Sequence, residues 1–314
     1  MLPTILTLLI SFLVALVLYR PFIGWLRRRR AVQVIQPELP SSHQVKAGTP
    51  TGGGGLFAAI PILGGVLAAQ AGHAGALAAV VGLGAGALLG AADDARKLRI
   101  GAVGVPARAK LPLQLALAVP VAYLALQEGG TRQVLLPFPL GWWYWPLAIV
   151  ALVGSANAVN LTDGIDGLAG GLGIIAVATL VLAMPGGAPG EKAVALALVG
   201  CLGAFLLYNR HPARVFMGDT GSLALGYALA AMAIQQGMVL LLPLLGLVFV
   251  AETLSVIIQV GYFKASGGRR LFKIAPIHHT FHQAGWHENR VTLTFWAVGA
   301  VAAAGAAIAG RALA

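Results

Sequence analysis

The sequence predicts an all-α, polytopic membrane protein of about ten transmembrane helices, in a single domain covering residues 1–314. Three observations carry this. Residues are 58% hydrophobic and 10% charged, whereas soluble domains hold about 25% charged residues, so this chain could not cover a water-facing surface. The apolar residues fall in long runs, and a run of about 18 reads as a membrane-crossing helix. Charged residues collect between those runs, on alternate connections.

In chain order the apolar segments run over 2–19, 53–70, 74–92, 111–127, 142–158, 167–184, 191–208, 221–237, 239–263 and 291–313. Uninterrupted apolar runs are helices, because lipid offers the backbone no hydrogen-bond partner. The 42 glycines suit close helix packing in lipid. With the N-terminus outside, ten crossings place the connections 20–52, 93–110, 159–166, 209–220 and 264–290 on the cytoplasmic side. Those connections hold 18 of the 21 lysines and arginines, leaving Arg132, Lys192 and Arg311 elsewhere. This is the positive-inside distribution, and a wrong helix count would scramble it.

The net charge of +11 raises nucleic acid as a partner, but the charge sits between apolar spans, and no nucleic acid is expected. Membrane lipid is the expected neighbour, with Arg27 to Arg30 at anionic headgroups. Cys201 is the one cysteine, which excludes an intrachain disulfide or a cysteine metal cluster. No basic residue precedes the first apolar run, so a cleaved signal peptide is not expected. Trp142, Trp143, Tyr144 and Trp145 open the fifth span as an external aromatic belt.

The five aspartates, Asp93, Asp94, Asp163, Asp166 and Asp219, all fall at helix ends on the expected cytoplasmic side. Acids in solvated loops would scatter. Carboxylates gathered at a basic rim point instead to a divalent cation and phosphates: Mg²⁺ takes one or two carboxylates plus phosphate oxygens, and Lys and Arg supply further phosphate contacts.

Four groups hold the candidate residues. In LLGAADDARKLR, the adjacent Asp93 and Asp94 repel and want a cation, and Lys97 could share the face of Asp94. Arg108 and Lys110 open the next span with more positive charge. In NAVNLTDGIDGLAGG, Asn157, Asn160, Asp163 and Asp166 recur every three residues; a straight helix would turn that stripe by about 60° per step. Gly164 and Gly167 predict a helix break that turns these groups toward one cavity. In YNRHPARVFMGDTGSLALG, Asp219 opens the eighth span beside Asn209, Arg210 and Arg214, which favours phosphate or nucleotide. In APIHHTFHQAGWHE, His278 and His279 are adjacent; with no cysteine nearby, contacts to phosphate or sugar are favoured over zinc. Glu252 lies mid-span, where an acid is either functional or a buried interhelical hydrogen bond.

These groups, in this order, resemble the polyprenyl-phosphate N-acetylhexosamine-1-phosphate transferase superfamily. NLTDGIDGLAGG and FMGDTGSLALG carry the resemblance. PIHH, followed by a Phe and by Gly285-Trp286, resembles the phospho-N-acetylmuramoyl-pentapeptide-transferase branch. It covers the chain from the stretch holding Lys46, Gly48, Thr49, Pro50 and Thr51 to the last helix. The resemblance implies ten transmembrane helices, a cytoplasmic active-site cleft, a homodimer and an Mg²⁺ requirement. It implies a UDP-N-acetylmuramoyl-pentapeptide donor, an undecaprenyl phosphate acceptor, and a bacterial cytoplasmic-membrane location. By position, Asp93 and Asp94 match the catalytic acidic pair, Asp219 the metal-ligand aspartate with Asn160 as second ligand, and Lys97 and Lys110 the active-site lysines. Asp163, Asp166 and Asn209 match polar residues of the nucleotide-sugar site, where Lys46 and Asn157 join them. His278 and His279 match the first two of three histidines, His278 in a catalytic role and His279 at the substrate. Thr280 replaces the third histidine, His282 replaces the usual Glu, and the loops are shorter than in most relatives. These departures bear on contacts to the donor, not on the phosphoryl chemistry.

Two other readings stay open on the residues. A sister enzyme using a UDP-N-acetylglucosamine-type donor shares the aspartate groups but not PIHH with Gly285-Trp286. A secondary transporter would place its ionisable groups near the bilayer midplane, where only Glu252 lies here.

Overall fold

The computed structural model describes residues 2–32, 48–73, 75–101, 104–130, 133, 135–136, 138–183 and 186–313. The described residues are helical apart from connections, with one isolated bridge between Val32 and Pro50. The elements are α1 (Leu2–Arg28), α2 (Gly54–Gln70), α3 (Ala76–Ile100), α4 (Ala107–Gly129), α5 (Tyr144–Thr162), α6 (Leu168–Ala178), α7 (Pro189–Asn209), α8 (Gly218–Gln235), α9 (Leu247–Ala265), α10 (Ile277–Gln283) and α11 (Glu288–Leu313).

Seven of these helices are long and apolar enough to cross a membrane, and α2 and α6 are shorter apolar helices. Large apolar side chains stand exposed around the outside: Ile10, Leu13 and Val17 on α1, Leu254 and Ile257 on α9, Val301 and Ile308 on α11. A continuous apolar exterior of this kind is stable only against lipid. The protein is an integral membrane protein.

The break expected at the Asn/Asp/Gly stripe is present. α5 ends at Thr162, α6 starts at Leu168, and Gly167 adopts φ 77°, which favours glycine. Three boundaries differ from expectation. α3 runs past residue 92 to Ile100, so Asp93 and Asp94 lie within the helix rather than beyond it. The segment AADDARKLRI is rich in good helix formers, and Lys97 and Arg99 complement the dipole of the last turn. The ninth segment is interrupted, with a single turn Leu242–Leu245, then Gly246, then α9. The connection 264–290 contains α10, a short helix that carries the two histidines.

α8 is the hub. Every residue from Asp219 to Gln235 is buried, as expected for a helix that is apolar or small on all sides. It packs against α2, α3, α4 and α5. Backbone contact is what places its first turn. A Cβ at Gly90 of α3 would collide with the Asp219 carbonyl, and one at Gly86 with the backbone of Leu223. On the far side, Gly54 of α2 meets the Cα of Gly221. With no Cβ at these crossings, the first turn of α8 lies directly against the acidic end of α3.

Candidate active site

Adjacent residues on a helix point about 100° apart, and Asp93 and Asp94 use that difference. Asp94 faces α8. Its carboxylate accepts the backbone N–H groups of Asp219 (3.1 Å) and Thr220 (3.0 Å) and the Thr220 hydroxyl (2.6 Å). It thereby satisfies donors that an opening helix turn leaves without partners. Asp93 faces the other way. It accepts the Val105 N–H at 2.8 Å and pairs with Lys97 at 2.7 Å, one turn along its own helix. Lys97 therefore shares the face of Asp93, not that of Asp94 as its spacing suggested.

Asp219 sits at the centre. Lys97 Nζ lies 2.8 Å from its Oδ1 and Lys110 Nζ 2.6 Å from its Oδ2. Lys110, in the first turn of α4, also lies 3.6 Å from Asp93. Asn160, near the end of α5, donates its amide to Asp219 Oδ1 (3.1 Å) and to the Ser222 hydroxyl (2.9 Å). Four helices from distant parts of the chain thus bring Asp93, Asp94, Lys97, Lys110, Asn160 and Asp219 together. The three carboxylates are buried, while the Lys97 side chain is 38% exposed and the Lys110 side chain 16%. The lysines are thus the more accessible face of the cluster.

Asp93, Asp94 and Asp219 place one oxygen each within 4.8 Å of one another. An all-oxygen, carboxylate-rich set suits a hard cation such as Mg²⁺. Asn160 turns its amide nitrogen toward Asp219 and Ser222, beside this carboxylate set.

Asn157, one turn before Asn160, exchanges hydrogen bonds with Gln114 of α4 (2.9 and 3.3 Å), and Tyr227 of α8 donates to the Gln114 carbonyl. This network ties α4, α5 and α8 together below the ionic cluster.

The remaining candidates lie on the adjoining loops at the same end of the bundle. Asp163 caps α5 and is half-buried. Asp166 is buried, accepts the Ala213 N–H (3.0 Å) and contacts His211 Nδ1 (3.0 Å), which also lies 3.2 Å from Glu288. Asn209 spends its amide within the protein, accepting the Gly167 N–H (3.0 Å) and donating to the Val215 carbonyl (2.9 Å). It therefore fastens the glycine break to the strand of chain leading into α8. His278 is fully buried, with Nδ1 3.1 Å from Glu252 of α9. His279 is half-buried, its ring 4.1 Å from that of His278. Thr280 donates its hydroxyl to the Ile274 carbonyl (2.6 Å). Lys46 lies outside the described residues.

Sequence reasoning missed Gln114, His211 and Glu288. Gln114 carried a signal, a polar side chain one turn into an apolar span beside Lys110. His211 and Glu288 carried none, because their meaning depends on Asp166, far away in the chain.

Residues 76–237 match the profile of glycosyl transferase family 4, the stretch that supplies the Asp93–Asp94, Asn160 and Asp219 elements. The chain is 45% identical over 308 residues to a phospho-N-acetylmuramoyl-pentapeptide-transferase of Halalkalibacterium halodurans, covering 94% of each protein. It is 45% identical over 305 residues to one of Moorella thermoacetica, covering 94% of this chain and 95% of the relative. It is 43% identical over 313 residues to one of Geobacillus thermodenitrificans, covering 94% of each. Similarity of this extent over nearly the whole length settles the assignment: the chain belongs to glycosyl transferase family 4 and, within it, to the phospho-N-acetylmuramoyl-pentapeptide-transferase family.

Proposed function

We propose that this enzyme transfers phospho-N-acetylmuramoyl-pentapeptide from its UDP-linked donor to undecaprenyl phosphate. The products are UMP and the first lipid intermediate of peptidoglycan synthesis. The observation that carries the reading is Asp219 held between Lys97 and Lys110 beside Asp93, in a family whose members bear this activity in their name. Transfer between two anions requires positioning and charge neutralisation more than covalent chemistry. Lys97 and Lys110 supply two positive charges at one point, where phosphate oxygens can take the place of the carboxylates. Asp219 and Asp93 would hold Mg²⁺. When bound there, the ion supplies charge that neutralises the diphosphate and favours departure of UMP.

Asp93 orients the acceptor phosphate or takes its last proton. That phosphate is already anionic at neutral pH, which favours its direct attack on the sugar-side phosphorus. Asp163, Asp166 and His279 form the donor side, on the loops next to the cluster. The site at one end of an apolar bundle allows the acceptor's tail to stay in lipid while its phosphate sits at headgroup depth. The basic connections support a cytoplasmic location for this end and ten crossings of a bacterial cytoplasmic membrane. A homodimer follows from the family resemblance. The test is transfer of radiolabel from UDP-N-acetylmuramoyl-pentapeptide to undecaprenyl phosphate by the purified protein, with and without Mg²⁺. Absence of transfer under conditions where the protein is folded would refute the reading.

A further inference from the structure

Glu252 is fully buried in α9. A carboxylate removed from water in this way persists only opposite a proton donor or a cation. Both groups facing its Oε2 come from one residue: His278 Nδ1 at 3.1 Å and the His278 backbone N–H at 3.4 Å. The backbone hydrogen bond and the close approach of the ring to the carboxylate seat His278 against α9.

The far edge of the ring meets the break between α5 and α6. A Cβ built on Gly164 would overlap His278 Nε2 and stand 2.7 Å from Cε1. Glycine at 164 is therefore required by the histidine. The imidazole occupies the place a side chain would take, and the Asp163–Asp166 turn rests on it. His278 has no exposed surface, whereas His279, packed on its ring, is half-buried.

We infer that Glu252 is a positioning residue for the nucleotide donor. It holds His278, and His278 in turn sets the Gly164 turn bearing Asp163 and Asp166 and the ring of His279. The inference rests on the donor side proposed above. His278 then acts through its neighbours rather than by touching the donor, and an acid within a membrane helix acquires a role in the site at its end.

The experiment measures kcat, donor KM, acceptor KM and UMP affinity by calorimetry for Glu252→Leu, Glu252→Gln and Gly164→Ala. Loss of a hydrogen bond to a charged group predicts a rise in donor KM, and a matching loss of UMP affinity, of about tenfold or more for Glu252→Leu. Acceptor KM should stay unchanged. Gly164→Ala should reproduce this pattern by displacing the ring. Glu252→Gln should restore donor KM, because its amide oxygen still accepts the His278 backbone N–H and keeps the side chain's volume against the ring. A fall in kcat alone, with donor KM and UMP affinity unchanged, would make Glu252 a packing residue and overturn the inference. So would an equal rise in acceptor KM, or a Gln variant as impaired as the Leu variant. Wild-type protein that turns over no muramoyl donor would sink the proposed reaction instead, and the UMP titrations would still decide the role of Glu252.

Discussion

Asp94 caps the helix that Asp219 opens: its carboxylate takes the N–H groups of Asp219 and Thr220 and the Thr220 hydroxyl, all within 3.1 Å. Asp93, its neighbour in sequence, makes none of these contacts and faces the lysines. The pair therefore divides into a residue that caps α8 and one that faces the lysines. Asp94→Ala should lose stability as well as activity, by about 2–3 kcal/mol for a buried cap with several donors left unpaired. Asp93→Ala should lose activity with a much smaller change in melting temperature. Thermal unfolding in detergent alongside turnover checks this; equal destabilisation by both substitutions would contradict the division.

Asp219 is the shared partner of Lys97 and Lys110. Asp219→Asn keeps the volume but leaves two ammonium groups facing each other and removes an oxygen anion from the carboxylate set. Turnover should fall by at least about a hundredfold, which corresponds to about 2.7 kcal/mol of barrier. The Mg²⁺ concentration for half-maximal activity should rise with it. Near-normal turnover at the same Mg²⁺ level would remove Asp219 from the centre of the mechanism.

The topology can be tested with single cysteines, since the native Cys201 is buried and should stay silent. Ile100→Cys and Arg269→Cys lie at the end that carries the carboxylate cluster, and Gln127→Cys at the opposite end; all three positions are exposed. An impermeant thiol reagent added to intact cells should label position 127 and spare 100 and 269 until the membrane is opened. Labelling of 269 from outside would overturn the ten-crossing orientation.

Much of this was legible in the sequence because the membrane leaves few options. Long apolar runs are helices, basic residues mark one side, and an Asn/Asp/Gly cluster with Gly164 and Gly167 marks a break. The site's membership was legible for the same reason, since its aspartates all fall at helix ends. Its division of labour was not. Whether Lys97 answers Asp93 or Asp94 depends on how far α3 continues, and the sequence reading ended it at residue 92. Which aspartate caps α8 depends on the close approach of Gly86 and Gly90, a contact between two helices more than a hundred residues apart. Glu252 could be recognised as unusual, but its partner is set by the return of α10 onto α9.

Thr280 stands where the family resemblance implies a third histidine, and its hydroxyl donates to the Ile274 carbonyl at 2.6 Å. It ties the start of α10 to the chain leading into it. Thr280→Ala should lower kcat/KM by less than about threefold, within the roughly 0.5–1.5 kcal/mol of one neutral hydrogen bond. A loss as large as that of Asp219→Asn would show that position 280 acts on the substrate.

The burial of the carboxylates bears on whether the sugar phosphate passes through the enzyme. Asp93 is 1% exposed; Val105 donates to its Oδ1, Lys97 sits on its Oδ2, and a Cβ at Gly104 would stand 2.7 Å from the carboxylate. Asp219 is clamped at both oxygens by lysines. A carboxylate covered and ion-paired on both sides is a poor nucleophile, because attack must first break those pairs and uncover it. The acceptor phosphate brings its own negative charge to the lysines and needs no such step. Direct transfer predicts that, without lipid acceptor, the enzyme neither accumulates a labelled phosphosugar adduct nor exchanges labelled UMP into the donor. Both can be measured with radiolabelled donor and UMP at enzyme concentrations comparable to the donor. Appearance of an acid-stable adduct, or of UMP exchange in the absence of lipid, would establish a covalent intermediate and make one of the two aspartates its bearer. Loss of the adduct in Asp93→Ala alone would then name it.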